Sequence, residues 1–306
     1  PKDRLAVVVV DDGSTDNTAR VAERFVDGRR VRLIRKPSNT GKADALNVGI
    51  ANSDSELVAC LDADSEFHPK AMRHMVGYFE DPAVAAVTPT LKVRRARTLL
   101  QKIQWMEYLF SAYLRKLMSS LNAIYVAPGP GSVYRRSAIL EVGGFDPQNI
   151  VEDMDIAMKM QAKGYRIENS LNAVVWTEAP PTFLALLKQR LRWYGGYLEN
   201  VLGKHRSLLF SRTSPHLTMF VLPSNFVWLF VMALLFGAAV HELARGVASV
   251  LATFGAVRYD VATVISGAEV SYLDLLTIFL PFVVTFYAFS LLIIRLSLKA
   301  GRHRPM

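Results

Sequence analysis

Leu5-Ala6-Val7-Val8-Val9-Val10-Asp11-Asp12-Gly13-Ser14-Thr15-Asp16 is the stretch on which the fold reading turns. Six apolar residues, four of them valine, run without a polar interruption, the pattern of a strand buried on both faces inside a parallel sheet. The run stops at two aspartates and a glycine, where a chain leaves a strand and turns. A helix is expected over 15–25, with capping residues at its start. Val31–Ile34 reads as a second strand, 41–51 as a second helix, and Glu56–Leu61 as a third strand running into Asp62-Ala63-Asp64. Alternation of strand and helix predicts an α/β fold with a mainly parallel sheet, and such sheets bind ligands at the carboxyl ends of their strands. Asp11-Asp12 and Asp62–Asp64 both lie at such ends.

Further along, Leu99, Ile103, Met106, Leu109, Phe110, Tyr113 and Leu117 recur at helical spacing, predicting an amphipathic helix over 98–119. Its apolar side is expected to face the core, with a membrane-surface position as the second reading. Pro128-Gly129-Pro130-Gly131-Ser132 is a loop whose glycines let backbone approach a ligand closely. Glu152–Lys163 reads as a helix with acidic residues in its first turn, and 182–202 as a helix carrying Gln189-Arg190-Leu191-Arg192-Trp193.

Beyond residue 215 the solvent changes. Segments 217–240 and 275–294 are each long and apolar enough to cross a bilayer, although each contains a proline, Pro223 and Pro281. Lys188, Arg190, Arg192, Lys204, Arg206 and Arg212 precede the first, and Arg295, Lys299, Arg302 and Arg304 follow the second. The intervening loop holds Arg245 and Arg258 against Glu242, Asp260, Glu269 and Asp274. The positive-inside tendency places the N-terminal part and the C-terminus in the cytoplasm of a multi-pass plasma-membrane protein. The expected division is therefore a domain over 1–180, an interfacial helical region over 181–214 and a membrane region over 215–306.

A net charge of +9 fits anionic lipid, nucleic acid or a phosphorylated substrate. Much of the basic excess flanks the apolar segments, and no common nucleic-acid module is present, so nucleic acid is not expected as a partner. The single Cys60 excludes an intrachain disulfide, fits reducing cytoplasm and argues against a zinc cluster.

The chemistry-bearing residues each have two readings. Asp62 and Asp64 can share Mg²⁺ or Mn²⁺ and its diphosphate ligand, or form a solvated turn. Lys42 can meet a phosphate near a helix N-terminus, or be a surface lysine. Glu152-Asp153 can supply a general base, or only complement the helix dipole. Arg192 beside Trp193 suits a diphosphate and a stacked ring, or is a topology charge.

Taken in order, Asp-Asp-Gly-Ser at 11–14, Gly41-Lys42, the D-x-D at 62–64, Gly131-Ser132, Glu152-Asp153 and Q-x-x-R-W at 189–193 resemble the family 2 glycosyltransferases with a GT-A fold. The resemblance is to the membrane-embedded processive synthases of cellulose, chitin, hyaluronan and poly-N-acetylglucosamine. Val142–Asp146, Glu152–Asp155 and Lys163–Arg166 look most like the poly-N-acetylglucosamine branch. The resemblance implies that Asp11 contacts the uracil of a UDP-sugar and that Asp62 and Asp64 hold the metal. It implies Asp153 as the base for the acceptor hydroxyl, beside Glu152, and Gln189, Arg192 and Trp193 as the diphosphate and acceptor-sugar contacts. The implied partners are the UDP-sugar, UDP-N-acetylglucosamine ahead of UDP-glucose, the growing polysaccharide, the bilayer and accessory export subunits. A polyprenyl-phosphate glycosyltransferase and an inactive secretion subunit are the alternatives. Family members open with a strand and a Pro-x-Tyr-Asn-Glu-like turn before the first Asp-Asp, and commonly carry N-terminal membrane helices. Neither is in this chain, so a longer natural protein is expected. Val151 stands where the family usually has Thr.

Overall fold

Residues 4–256 are described by a computed structural model, and they divide into two compact units, the first ending at Phe220. In the first unit β1 (Val7–Asp11) pairs in parallel with β2 (Val31–Arg35). A second, five-stranded sheet has the order β3 (Leu57–Ala59), β6 (Val133–Arg135), β5 (Val84–Val93), β7 (Arg166–Thr177), β4 (Glu66–Phe67). Only β5–β7 is parallel within it; β3–β6, β5–β6 and β4–β7 are antiparallel. The expectation of a mainly parallel sheet is corrected: the sheet is mixed. Strand–helix alternation dictates direction only where a full helical crossover joins the strands. Here β4 follows β3 through the short turn at Asp62–Ser65, and β6 follows the Gly/Pro loop, so both can run the other way.

Helices α1 (Thr18–Glu23) and α2 (Lys42–Ala51) follow β1 and β2, and α3 (Ala71–Val76) follows β4. After β5 comes α4 (Leu99–Ser120); α5 (Arg136–Glu141) and α6 (Glu152–Ala162) lie between β6 and β7. The main core packs Ile50, Tyr134, Ile139, Phe145, Ile156 and Met160 between the sheet and these helices. A smaller cluster of Met75, Phe79, Val84 and Val133 lies under α3.

The long helix is inverted relative to the core-facing expectation. Along α4 the buried residues are Gln101, Gln104, Ala112 and Ser119, while Leu99, Ile103, Met106 and Tyr113 are exposed. Gln101 Nε2 donates to Ala179 O at 3.1 Å and Gln104 Nε2 to Pro180 O at 3.0 Å, so the narrow polar stripe is the inward one. Thr98 caps the helix through a reciprocal box with Gln101.

Helix α7 (Phe183–Leu198) is capped by Thr182 and shorter than expected, because a π-helical turn takes over at Glu199–Lys204. Its outward stripe is Phe183, Leu184, Leu187, Leu191 and Tyr194, all exposed. In the second unit α8 (Leu222–Ala256) follows a π-helical turn at Leu217–Val221. Leu217–Ser249 is long and apolar enough to cross a membrane, with mean hydropathy 2.1. The helix runs on past the expected span, through 241–256, with Glu242 and Arg245 paired at 3.2 Å one turn apart. Hydropathy falls at the charges, but alanines and leucines keep the backbone helical. Pro223 stands two residues past that π-helical turn, inside a helix already under way. The segment 275–294 lies outside the described residues.

Candidate active site

Asp11 closes β1, 6% exposed, accepting the Ser14 amide at 3.2 Å and lying 3.9 Å from Arg35. Its neighbour Asp12 is structural. Its carboxylate accepts the Thr40 and Gly41 amides at 3.1 and 2.9 Å and pairs with Lys36 at 2.6 Å, and Lys36 also meets Asp44. Burial raises the Asp12 pKa, but Lys36 and the two amides outweigh it and hold the carboxyl below its ordinary range. This knot ties the end of β1 to the start of α2. Gly13 completes it: at φ +71, a Cβ there would lie 2.6 Å from the Asn39 backbone.

The same start of α2 delivers Lys42. Its Nζ lies 2.6 Å from Asp62 Oδ1 and 3.1 Å from Glu152 Oε1, so one ammonium bridges the D-x-D turn and the first turn of α6. Burial favours the neutral amine, yet Glu152 and Asp62 outweigh it and hold the ammonium firmly protonated. Asp62 and Asp64 flank a turn closed by Ser65 N to Asp62 O at 3.0 Å, just past β3. Asp64 is exposed and accepts from Ser65 Oγ at 2.8 Å.

The Gly/Pro loop supplies the wall. Gly129 N donates to Asp153 Oδ2 at 3.3 Å, and a Cβ on Gly129 would come 2.5 Å from Lys42 Nζ. Gly131, at φ +90, turns the chain where a Cβ would collide with Val175 Cγ2. Burial, with the adjacent Glu152 charge, pushes the Asp153 carboxyl up to about 6, against the opposing pull of Lys42 and of the Gly129 and Met154 amides.

Asp62, Glu152 and Asp153 are thus gathered around Lys42, with Asp64 at the rim. Gln189 and Trp193 are half-buried on α7, which touches the start of α6 from the other side. A Cβ on Gly196 would lie 2.2 Å from Val151 Cγ2, so the glycine permits that contact. Arg190, one helical turn from Trp193, lies over the ring at 4.4 Å and pairs with Glu107 of α4 at 2.6 Å, while Arg192 is exposed. Helical geometry puts i and i+3 together and splays neighbours apart.

Two polar residues near the site escaped the sequence reading. Arg115, on the inward stripe of α4, donates to Pro89 O at 3.3 Å; burial pushes its pKa down to about 10 against the field of Asp153. Tyr108, on the same stripe, has its phenol raised by burial and lies in the fields of Arg190 and Asp64. Their signal was the polar repeat 101, 104, 108, 115, 119 inside an otherwise apolar helix.

The donor set fits a hard cation. Among the described residues no three acidic, His or Cys side chains converge as a closed metal cage. Two carboxylates at an open turn match a site that diphosphate oxygens complete, the usual habit of Mg²⁺.

Residues 1–143 match the family model described as glycosyl transferase family 2. The chain is 30% identical over 238 residues to the poly-beta-1,6-N-acetyl-D-glucosamine synthase of Staphylococcus aureus strain COL, covering 77% of this chain and 58% of that protein. It is 31% identical over 229 residues to the Staphylococcus epidermidis protein of the same name, covering 74% and 56%. The chain therefore spans less than three fifths of the curated relatives it matches. A solved mannosyltransferase from Pyrobaculum calidifontis, in complex with GDP-Man and Mn²⁺, superposes with a TM-score of 0.62. It is 24% identical and covers 89% of this chain and 79% of its own, which establishes the GT-A fold with its mixed sheet.

Proposed function

We propose, on the match of residues 1–143 to the family 2 model, that this chain is a family 2 glycosyltransferase, an inverting, membrane-embedded enzyme that elongates a β-linked polysaccharide from a UDP-sugar. UDP-N-acetylglucosamine is the favoured donor, on the names of the synthases it resembles, and UDP-glucose the next. The observation that carries the reading is the Lys42 bridge between Asp62 and Glu152, next to a carboxyl whose pKa is raised to about 6.

In this reading Asp11 meets the uracil and Lys42 the diphosphate. Asp62 and Asp64 hold Mg²⁺ or Mn²⁺, which when bound neutralises charge developing on the departing diphosphate. Asp153, held by the Gly129 amide, takes the proton from the acceptor hydroxyl as that oxygen attacks the anomeric carbon. A base with a pKa near 6 is ionised at pH 7 yet less strongly solvated than a surface carboxylate. Gln189, Arg192 and Trp193 of α7 bind the acceptor sugar and the diphosphate, with Arg190 holding the Trp193 ring in place.

The exposed apolar stripes of α4 and α7, joined by the Glu107–Arg190 pair, support a bilayer partner for the first unit. Arg95, Arg97 and Lys188 beside them are exposed and suit anionic headgroups. The helix Leu217–Ser249 supplies a span. A cytoplasmic domain, export of the polymer and accessory subunits complete the proposal.

The test is UDP release by purified protein in lipid, with Mg²⁺ or Mn²⁺, over a panel of UDP-sugars, followed by sizing of the product. Long polymer from one sugar is expected. Short glycolipid would move the assignment to a polyprenyl-phosphate transferase, and metal-independent silence would overturn catalysis. Asp64→Ala is expected to lose activity together with its response to metal.

A further inference from the structure

One buried carboxylate has no part in that chemistry. Asp155 is fully buried on the side of α6 turned away from Asp153, two residues along the helix. Its Oδ1 lies 2.7 Å from Lys204 Nζ and 2.8 Å from His205 Nε2, and its Oδ2 lies 2.9 Å from Lys159 Nζ. Lys204 also pairs with Asp146. Burial works to neutralise Asp155, but His205, Lys204 and Lys159 outweigh it and keep it ionised.

The partners of Asp155 from outside α6, Lys204 and His205, come from the segment after Q-x-x-R-W. That segment grips the start of α6 at two further points. Asn149 and Asn200 exchange side-chain hydrogen bonds at 2.8 and 3.2 Å, and Asn149 Oδ1 also accepts the Val151 amide at 3.0 Å. Gly196 lies directly on Val151. The π-helical turn at Glu199–Lys204 accompanies this grip: Asn200 is fully buried, bonded to Gly196 O at 2.9 Å. Extra-residue turns of this kind are frequent at functional positions.

We propose that Asp155 and Asn200 are positioning residues, the two anchors of a strap over residues 196–205 that holds the Gln189–Trp193 helix in one register against the helix bearing Asp153. A buried ion cluster is a poor source of net stability, since desolvating its charges offsets most of their attraction. What it does supply is a single geometry, because any slip leaves charges unpaired. An apolar contact between α6 and α7 would allow sliding by a fraction of a turn. The strap forbids it, and a base and an acceptor platform need that constraint: a misplacement of about 1 Å can cost on the order of 100-fold in rate.

This inference rests on the proposed glycosyl transfer, so its test has one arm that depends on transfer and one that does not. The variants are N200A, which removes the amide pair, K204Q, which cuts one arm of the cluster, and D155N; the first two cover the case in which D155N does not fold. In the independent arm, nitroxide labels are placed on L191C of α7 and L140C of α5. Both positions are exposed, and the native Cys60 is buried. The distance distribution is expected to be narrow in the parent and broader in N200A and K204Q; equal widths overturn the strap. In the dependent arm, kcat for transfer is expected to fall roughly 10- to 100-fold. KM for the UDP-sugar should stay within about twofold, and UDP released to water per sugar transferred should rise. Unchanged kcat in folded variants, or a parallel loss of UDP binding, overturns the positioning role. A parent that transfers no sugar while the labels still report the strap would instead sink the proposed function.

Discussion

Replacing Asp153 with Asn keeps the shape of the side chain and its acceptance of the Gly129 amide, and removes the charge. Burial with Glu152 alongside raises the carboxyl from 3.8 to about 6, a cost to the native state wherever Asp153 is ionised. Two pKa units correspond to about 3 kcal/mol. The side chain keeps some solvent access, which reduces the expected effect to about 1–2 kcal/mol. The sign follows from linkage: between pH 4 and 6 the native protein binds more protons than the unfolded chain, so stability falls as pH rises through that window. Above it the penalty is constant. The variant escapes it, so its advantage should be near zero at pH 4, grow to pH 6 and level off at 1–2 kcal/mol. Thermal unfolding of both proteins in lipid nanodiscs from pH 4 to 8 measures this, as a midpoint higher by a few degrees at pH 7.5. Turnover should vanish while UDP binding by calorimetry is retained. A variant no more stable than the parent at pH 7.5, or a difference that does not change between pH 4 and 7, would refute the claim that this carboxylate is held against its own solvation.

Parent kcat should fall as pH drops through about 6, as the base takes up its proton, and a profile flat down to pH 5 would exclude Asp153 in that role. Lys42→Met leaves Asp62 and Glu152 without their shared cation. UDP-sugar KM should rise at least tenfold while kcat changes less, and an unchanged KM would remove Lys42 from the diphosphate site. Gly196→Ala drives a methyl into Val151 and should cost about 1–3 kcal/mol, largely recovered by pairing it with Val151→Ala; no rescue in the denaturation midpoint would mean the clash lies elsewhere. Cys60 is buried and its thiol is pushed up to about 12, so iodoacetamide should label it only under unfolding conditions, as read by mass spectrometry.

Much of the site was legible in the residues because its chemistry is local. Asp11, Asp62–Asp64 and Glu152-Asp153 stand at strand and helix ends, and turn composition marks those ends. The same letters did not reveal that Asp12 is a structural knot. Nor did they reveal that Lys42 bridges two distant segments, or that Arg190 rather than Arg192 covers Trp193. Strands β5 and β7 were illegible for a related reason. Thr88, Thr90, Asn169 and Ser170 look like surface residues, yet they are buried, with Asn169 Nδ2 donating to Thr88 Oγ1 at 3.0 Å across the ladder. Periodicity found α4 and could not say which face points inward, since an apolar stripe serves a core and a bilayer equally well. Composition and spacing by themselves determined the types of β1 to β3 and of helices α1, α2, α4, α6 and α7, the two carboxylate-bearing strand ends and the apolar segment that can span a membrane. Tertiary structure decided strand direction, the inverted helix and the strap from Gly196 to His205, because each depends on which distant partner satisfies a buried polar group.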